Sequence, residues 1–363
     1  MGVMNDLLGP SAVQGLRASL SQAAGRPAWP ALAAAEERLE PLALRARSDV
    51  LAAALVADLG QDYDGAAAVF RAALDDAAFT GWMIWPAGEA AVTLALQDGS
   101  TRAFDNALAL LFELTPRLTS EFAIRRLLIR DLERALGLIQ DRTGHPDEHV
   151  RRLASEGTRP YLPWAIRVPG IIARPQSTFR ILDALHTDPS QTVRRSVANH
   201  LNDAARHAPD DVVAAAARWN AEPGSGWVVR HGLRTLVKKA HPDALALLGF
   251  APAAVSVSAP QVDRDTVGLP GELVFEVEVT NGSADTARVA VDYLVHYLKA
   301  NGTLAPKVFK LAVAELGPGQ TRRFRKSHAF RQMTTRVHYP GRHELQVQVN
   351  GVRSDRTGFN VIA

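Results

Sequence analysis

The feature of this sequence that most constrains its fold is a segment that recurs three times in the middle of the chain. The three copies read HVRRLASEGTRPYLPW, TVRRSVANHLNDAARH and VVRHGLRTLVKKAHPD. Val150, Val193 and Val229 align, at spacings of 43 and 36 residues. A period near 40 residues with paired helices is typical of HEAT- or armadillo-like repeats, whose helix pairs bury their apolar faces only by stacking. The repeat therefore predicts a curved array in which successive inner helices line a concave surface.

The chain changes character near Phe250. Before this residue, segments such as RARSDVLAAALVADL and IRRLLIRDLERALGLIQD have the apolar spacing of amphipathic helices. After it, ELVFEVEVTN, ARVAVDYLVHYL, HELQVQVNG and RTGFNVI alternate as strands do, and three Asn-Gly pairs mark tight turns. About seven strands in roughly 105 residues predict an immunoglobulin-like sandwich. We predict a mainly α protein, with a HEAT/ARM-like helical-repeat solenoid over residues 1–250 and a small all-β immunoglobulin-like sandwich over residues 251–363.

Composition narrows the classes of function that are open to the chain. It contains no cysteine, which excludes disulfides, thiol catalysis, zinc–thiolate sites and iron–sulfur clusters. No apolar run reaches the roughly 18 residues that span a bilayer, and the first residues lack the pattern of a signal peptide. We therefore expect a cytoplasmic protein that does not interact with membranes.

Positive charge is concentrated in the repeats. Residues 149–240 hold 14 Arg and Lys against 7 Asp and Glu, whereas the rest of the chain holds 27 against 31. A basic segment in a nearly neutral protein indicates a polyanionic partner. An ordinary solvated helix surface remains the alternative explanation.

Helical spacing predicts that acids lie among these bases. In the second copy, residues 193, 197 and 201 form the buried stripe, whereas Arg195, Asn199 and Asp203 share another face. The same offsets give Arg152 and Glu156 in the first copy, and His231, Thr235 and Lys239 in the third. Because carboxylates oppose the binding of a polyanion, their presence in a basic groove calls for a chemical role.

Several of these segments resemble the AlkC-type DNA alkylation-repair glycosylases of the AlkC/AlkD superfamily of HEAT-like repeat proteins. The resemblance lies in LTSEFAIRRLLI, HVRRLASEGTRPYLPW, TDPSQTVRRSVANHLNDAARHAPDDVV and WVVRHGLRTLVKKAHPDALALLG, and extends over residues 30–250. It implies a monofunctional enzyme that removes cationic alkylated bases, 3-methyladenine and 3-methylcytosine, from duplex DNA and leaves an abasic site. It further implies catalysis without full base flipping and without a metal or other cofactor, in contrast to most glycosylases.

The resemblance also implies which residues act. The catalytic candidates are Glu121 of LTSEF, Glu156 of ASEG, Trp164 of RPYLPW and Asp203 of NHLND. A carboxylate near C1′ stabilises the sugar as it becomes cationic and positions water, and a tryptophan holds the cationic base. The chain departs from the family at Tyr161, where an arginine is usual. The candidates for DNA contact are Arg152, Arg159, Arg195, Asn199, Arg230, His231, Arg234, Lys238 and Lys239.

Each catalytic candidate also has a purely structural interpretation. Asp203 can form an ion pair with Arg206 or Arg195, and Glu156 can form one with Arg152 or Arg159. Glu121 can serve as a charge at a helix start. Trp164, Trp219 and Trp227 can fill the core, His200 is expected to be structural, and Arg151 and Arg194 can brace the repeats.

Three further questions stay open at the level of the sequence. As a whole, the chain can instead be a non-catalytic HEAT-like scaffold that binds damaged DNA or another protein, since fold alone does not decide function. The sequence does not decide which acid positions water or whether 7-methylguanine is a substrate. We expect the protein to be a monomer. The basic segment TRRFRKSHAFRQMTTR, over 321–336, is a candidate DNA contact of the β domain, with a solvated strand as the alternative.

Overall fold

The structure is a computed structural model that describes residues 3–250, 254–331 and 337–362. The chain divides into two compact units, residues 1–232 and 233–363. The α-helices of the first unit are α1 (Pro10–Ala24), α2 (Pro30–Glu36), α3 (Leu44–Leu59), α4 (Tyr63–Ala73), α5 (Ile84–Asp98), α6 (Thr101–Leu114), α7 (Ile124–Arg130), α8 (Leu132–Gln140), α9 (Glu148–Glu156), α10 (Pro169–Ala173), α11 (Phe179–Leu185), α12 (Gln191–Ala204), α13 (Pro209–Asn220) and α14 (Gly226–Gly232). Short 3-10 helices occupy Val3–Leu8, Gly81–Met83 and Pro175–Thr178. In the part of the chain that is described, no helix is both long and apolar enough to cross a membrane.

The three recurring segments form α9, α12 and α14, and α12 packs against both of the others. Val193, Val197 and Leu201 are fully buried, as their four-residue spacing predicts. Gly232 allows α14 to approach α12 closely, because a Cβ at this position would lie 2.8 Å from Cδ2 of Leu201. The prediction of stacked helical repeats is confirmed.

Two predicted helices are shorter than their apolar patterns suggest. The third recurring segment is interrupted at Leu233: α14 ends at Gly232, and α15 (Arg234–Lys238) begins the second unit, so Thr235 and Lys239 lie outside α14. The segment IRRLLIRDLERALGLIQD is split into α7 and α8 at Asp131. This residue has extended backbone angles, and its carboxylate accepts a hydrogen bond from the Arg134 N–H, which caps α8.

The second unit is a β-sandwich with two short helices, α15 and α16 (Pro242–Leu247). Its strands are β1 (Val255–Val257), β2 (Gln261–Val262), β3 (Thr266–Gly268), β4 (Gly271–Asn281), β5 (Ala287–Leu298), β6 (Leu304–Leu316), β7 (Thr321–Phe330), β8 (Gly341–Val349), β9 (Val352–Arg353) and β10 (Thr357–Ile362). In one sheet β4 pairs with β1, β2 and β7, and the other has the order β3-β10-β8-β5-β6, with β9 on β8. All described pairs are antiparallel except β3 with β10. Side chains such as Phe275, Tyr293 and Phe330 fill the space between the sheets.

The four strands recognised from alternation correspond to β4, β5, β8 and β10, and the immunoglobulin-like class is confirmed. The described residues contain ten strands instead of seven, because β1, β2, β3 and β9 have only two or three residues each. The change from helix to strand lies near residue 250, as predicted, but the compact units divide at 232/233. The reason is that Leu245 and Phe250 pack with Ala290 of β5.

The basic segment over 321–336 is only partly described. Up to Phe330 it forms β7, where Arg323 and Arg325 pair with Glu276 and Glu278 of β4. Residues 332–336 lie outside the described residues. Its described part is therefore an exposed strand with cross-strand ion pairs.

Candidate active site

A continuous chain of charged side chains connects the first two recurring segments. Arg152 lies 3.1 Å from Glu121 and 3.7 Å from Glu156. Arg159 lies 2.7 Å from Glu156 and 2.9 Å from Asp203. We call these five residues the carboxylate chain. Three acids that are distant in sequence thus share two arginines, with Glu156 at the centre.

Three separate elements position these acids. Glu121 precedes α7, Glu156 is the last residue of α9, and Asp203 lies in the last turn of α12. Asp147 caps α9 by accepting a hydrogen bond from the His149 N–H, which sets the start of the helix that carries Glu156. Because α9 and α12 pack side by side, Glu156 and Asp203 come within reach of one arginine.

The three carboxylates differ in how fully their oxygens are used. Oε1 of Glu156 accepts from Arg159, and its Oε2 accepts from the Ser196 hydroxyl at 2.6 Å. Both contacts of Glu121, from Arg152 and the Thr119 hydroxyl, fall on Oε2. The Glu121 side chain is also the most exposed, at 13% against 9% for Glu156 and 7% for Asp203. Among the described residues, Glu121 Oε1 is therefore the oxygen best placed to meet water.

Burial acts against ionisation at both ends of the carboxylate chain. Desolvation raises the pKa of Glu121, an effect that the Arg152 charge opposes and Glu156 reinforces. Desolvation likewise raises the pKa of Asp203, opposed by Arg159. Carboxyl groups with raised pKa values in a cleft are typical of functional sites.

A cavity of roughly 360 Å³ opens beside the chain and includes three of the four predicted catalytic residues. Its wall is formed by Trp82, Trp85, Leu118, Thr119, Glu121, Phe122, Glu156, Arg159, Leu162, Pro163 and Trp164. Asp203 is not part of the wall and connects to it through Arg159. The acids therefore border a space with mostly apolar walls, in which charge interactions are stronger than in water.

The side chain of Trp164 is exposed to solvent. It is 68% exposed, which excludes the alternative that it fills the core. Its φ is +62°, a left-handed conformation that costs energy for a bulky residue. An exposed tryptophan held in a strained backbone at the edge of a cavity is typical of a functional position.

A buried arginine that sequence reasoning missed, Arg125, holds the loop on both sides of Trp164. Arg125 is fully buried, and its guanidinium donates to the carbonyls of Ile166 at 2.5 Å, Gly157 at 3.0 Å and Arg159 at 2.8 Å. Burial lowers the pKa of Arg125 to about 10, so it remains charged at neutral pH. The sequence does contain a signal for this residue: Arg125 lies three residues before Leu128, so a charged side chain falls on the apolar face of α7.

Tyr161 is surrounded by cations. The guanidinium carbons of Arg206 and Arg167 lie 4.3 Å and 4.8 Å from its ring centroid. Its hydroxyl is hydrogen-bonded to Nε2 of His207. The Arg206 charge also acts on Asp203 and lowers its pKa, in opposition to burial.

The predicted DNA contacts occupy different environments. Arg195 and Arg230 are exposed on α12 and α14, and Asn199 lies 3.3 Å from His231. Arg152 and Arg159 belong to the carboxylate chain, which favours a positioning role over a phosphate contact, above all for the buried Arg159. The other three, Arg234, Lys238 and Lys239, lie in the second unit. All nine remain predictions as DNA contacts.

Several structural interpretations made from the sequence agree with the geometry. Arg151 and Arg194 both bind the α11–α12 turn, through the carboxylate and the carbonyl of Asp188 respectively. His200 is buried between the Ser155 carbonyl and the Thr178 hydroxyl, and desolvation lowers its pKa to about 3. These residues brace the repeats.

The structure corrects two assignments of individual residues. Asp203 pairs with Arg159, not with Arg206 or Arg195. Trp219 is buried as expected, but Trp227 is 38% exposed and stacks on His231, so its assignment to the core was wrong.

Comparison with known proteins identifies the family. A solved structure, the Pseudomonas fluorescens alkylpurine DNA glycosylase AlkC bound to DNA containing an abasic site analog, matches with a TM-score of 0.86 and 32% identity over 100% of both chains. The chain belongs to the AlkC-type DNA alkylation-repair glycosylases. This confirms the family resemblance found in the sequence, together with the helical-repeat fold that it implied.

Two other comparisons concern a second relative, YhaZ. The uncharacterized protein YhaZ of Bacillus subtilis (strain 168) is 35% identical over 262 residues, which cover 71% of this chain and 72% of YhaZ. A family model described as the C-terminal Ig-like domain of the uncharacterised protein YhaZ matches residues 256–363. The β-sandwich of this AlkC-type chain is therefore an Ig-like domain.

Proposed function

We propose that this protein is an alkylbase DNA glycosylase that hydrolyses the N-glycosidic bond of cationic alkylated bases in duplex DNA. The match to a DNA-bound alkylpurine glycosylase over the full chain supports the reaction class. The observation that carries the proposal in this chain is the carboxylate chain beside a cavity whose edge displays Trp164. We propose 3-methyladenine as the principal substrate and 3-methylcytosine as a second.

The chemistry of such a lesion explains why acids are needed. The alkylated base carries a positive charge, so it leaves with the bonding electron pair as a neutral molecule and needs no proton from the enzyme. The sugar becomes an oxocarbenium ion, water adds to C1′, and the water proton passes to a carboxylate. Preorganised anions that stabilise this charge in a dry site contribute strongly to rate, and a positioned base removes the proton. The product is an abasic site.

The geometry supports different roles for the three acids. Glu121, with Oε1 directed to no described partner and the most exposed side chain, is our candidate for the base that accepts the water proton. Both carboxylate oxygens of Glu156 accept hydrogen bonds, and its charge fixes the positions of the Arg152 and Arg159 guanidinium groups. Asp203 lies outside the cavity wall and pairs with Arg159, so we propose that it stabilises the sugar cation indirectly, by offsetting the positive charge that Arg159 brings to the site.

A direct experiment separates an enzyme from a scaffold. Purified protein is incubated with methylated duplex DNA, and released bases are separated by chromatography. We expect free 3-methyladenine to accumulate and the DNA strand to become alkali-labile at the same sites. Binding to damaged DNA without release of any base would favour the non-catalytic alternative.

A further inference from the structure

A buried pair of serine hydroxyls adjoins the carboxylate chain and has no part in the proposed reaction. Ser155 is fully buried on α9, and Ser196 is 2% exposed on α12. Oγ of Ser196 lies 3.0 Å from Oγ of Ser155 and 2.6 Å from Oε2 of Glu156. Three polar groups in a row thus join the packed faces of two helices and end at the central acid of the carboxylate chain.

The protons on these groups fix the direction of the two hydrogen bonds. A carboxylate only accepts, so Ser196 donates its one hydroxyl proton to Glu156. The bond between the serines then takes its proton from Ser155. A length of 2.6 Å agrees with a hydroxyl–carboxylate bond, for which about 2.5–2.7 Å is usual, and such bonds are stronger than those between neutral groups.

Ser155 is itself held by a histidine of α12. Nδ1 of His200 lies 2.9 Å from the Ser155 carbonyl, and since a carbonyl only accepts, Nδ1 carries the ring proton. Burial lowers the pKa of His200 to about 3, so the ring is neutral near pH 7. Ser196 and His200 are four residues apart on one face of α12, and this face therefore contacts both Ser155 and Glu156.

The other contacts of Glu156 leave its orientation less well defined. Oε1 accepts from Arg159 at 2.7 Å and lies 3.7 Å from Arg152, and each of these arginines is shared with another acid of the carboxylate chain. Arginine side chains have many rotamers, whereas a serine side chain on a packed helix has few. Ser196 is therefore the rigid partner that sets the rotation of the Glu156 carboxylate.

We propose that Ser196 is a positioning residue for base release, acting through Glu156. Without its hydroxyl, Oε2 of Glu156 loses its hydrogen-bond donor, and the carboxylate turns both oxygens towards the two arginines. Arg159 then moves relative to Asp203, and the spacing of the three acids changes. This inference rests on the proposed function and adds a residue that keeps the acids in their working geometry.

The test is single-turnover release of 3-methyladenine from methylated duplex DNA by Ser196→Ala. We expect a rate about 10- to 100-fold below that of the parent, the usual effect of a small misplacement in an active site, with duplex affinity little changed. Ser48→Ala is the matched control, because Ser48 is fully buried in α3 and its hydroxyl has no hydrogen-bond partner among the described residues. Release by folded Ser196→Ala at the rate of the control would overturn the proposal.

A second variant tests the direction of the hydrogen bonds. Ser155→Ala removes the donor to Ser196 but leaves the bond from Ser196 to Glu156 in place. We therefore expect a smaller loss of release than for Ser196→Ala. A loss that is equal or larger, in protein that thermal unfolding shows to be folded, would contradict the assignment of Ser196 as the group that acts on Glu156.

A double-mutant cycle separates positioning from a general structural effect. In a Glu156→Ala background there is no carboxylate to orient, so adding Ser196→Ala should cause no further loss of release. A loss by the same factor in both backgrounds would show that Ser196 acts on the fold and not through Glu156, and would overturn the proposal.

Failure of this inference differs from failure of the proposed function. If the parent releases base and Ser196→Ala releases it equally fast, only the inference fails. If the parent itself releases no base, the proposed function fails, and with it any role of Ser196 in the reaction.

Discussion

At the scale of single residues, Glu121 is the acid whose ionisation the structure controls most visibly. Desolvation raises its pKa, and the proposed reaction requires its carboxylate form. The raised pKa means that the group takes up a proton at higher pH than an ordinary glutamate does. We therefore expect the rate of base release to fall as the pH is lowered, and to begin falling above pH 4.5, the ordinary pKa of the side chain.

The pH experiment measures single-turnover release of 3-methyladenine between pH 4.5 and 8, with duplex binding determined at each pH. Separate binding data are needed so that a change in duplex affinity with pH is not mistaken for a change in the release rate. A release rate that stays constant down to the ordinary pKa of glutamate would contradict the assignment of Glu121 as base.

Arg125 is a single residue that we expect to contribute strongly to the free energy of unfolding. Replacement by methionine removes the donor to three carbonyls of the loop between α9 and α10, two of which are buried. Each unsatisfied buried acceptor costs about 1–3 kcal/mol, so we expect Arg125→Met to lower the free energy of unfolding by at least about 2 kcal/mol. Urea denaturation measures the loss. Arg130→Met, an exposed position of the same helix, is the control and should change stability little; equal effects of the two would refute the bracing role.

At the scale of the elements, the contact between α12 and α14 depends on the absence of a side chain at Gly232. An added Cβ would lie 2.8 Å from Cδ2 and 3.3 Å from Cβ of Leu201, so either the Leu201 side chain must shift or the helices must move apart. We expect Gly232→Ala to destabilise the protein by about 1–3 kcal/mol, the usual cost of overpacking. Gly137→Ala in α8 is the matched control.

A Cβ at Gly137 meets nothing within 4 Å, and the residue lies inside a helix. Alanine there should raise the free energy of unfolding by about 0.5–1 kcal/mol, because glycine disfavours helix interiors. The two substitutions are therefore expected to shift the denaturation midpoint in opposite directions. A shift in the same direction for both would show that close packing at Gly232 is not what joins these helices.

The elements also show what sequence patterns can and cannot predict. Long amphipathic or alternating runs identified α3, α12 and β5 almost to the residue, because burial of one face imposes a period. Strands of two or three residues have no period to read, so β1, β2, β3 and β9 were missed. Helix caps also cannot be predicted from the apolar pattern. At Asp131 one capping hydrogen bond divides an otherwise continuous amphipathic segment into two helices.

For the site, resemblance selected the four catalytic candidates, and three of them border one cavity. The sequence did not reveal that Arg159 is buried between Glu156 and Asp203, because ion pairs over 44 residues depend on helix packing. Trp82 and Trp85 of the cavity wall were missed for the same reason. Both precede α6, and they come together with Glu121 only in the folded repeats.

At the scale of the whole molecule, the basic segment over residues 149–240 predicts binding dominated by phosphate contacts. Arg195 is exposed, whereas Arg159 is already used by two carboxylates. We expect Arg195→Ala to weaken duplex binding and to reduce the slope of log K against log salt by about 0.9, the value for one phosphate contact. Binding titrations over a range of salt concentrations measure this slope.

Arg218→Ala is the control for the salt experiment, because Arg218 is exposed on α13 and pairs with Asp183. It should leave the slope unchanged. If Arg195→Ala also leaves it unchanged, the exposed surface of α12 does not contact the DNA backbone.

The central claim is that acids linked by two arginines stabilise a sugar that becomes cationic. Its most direct test is the single-turnover release of 3-methyladenine from methylated duplex DNA by Asp203→Asn, which keeps the shape of the side chain and removes its charge. We predict a rate about 10²–10³ times lower than that of the parent, with duplex affinity unchanged or slightly higher. Release at the parental rate by folded Asp203→Asn protein would contradict the claim.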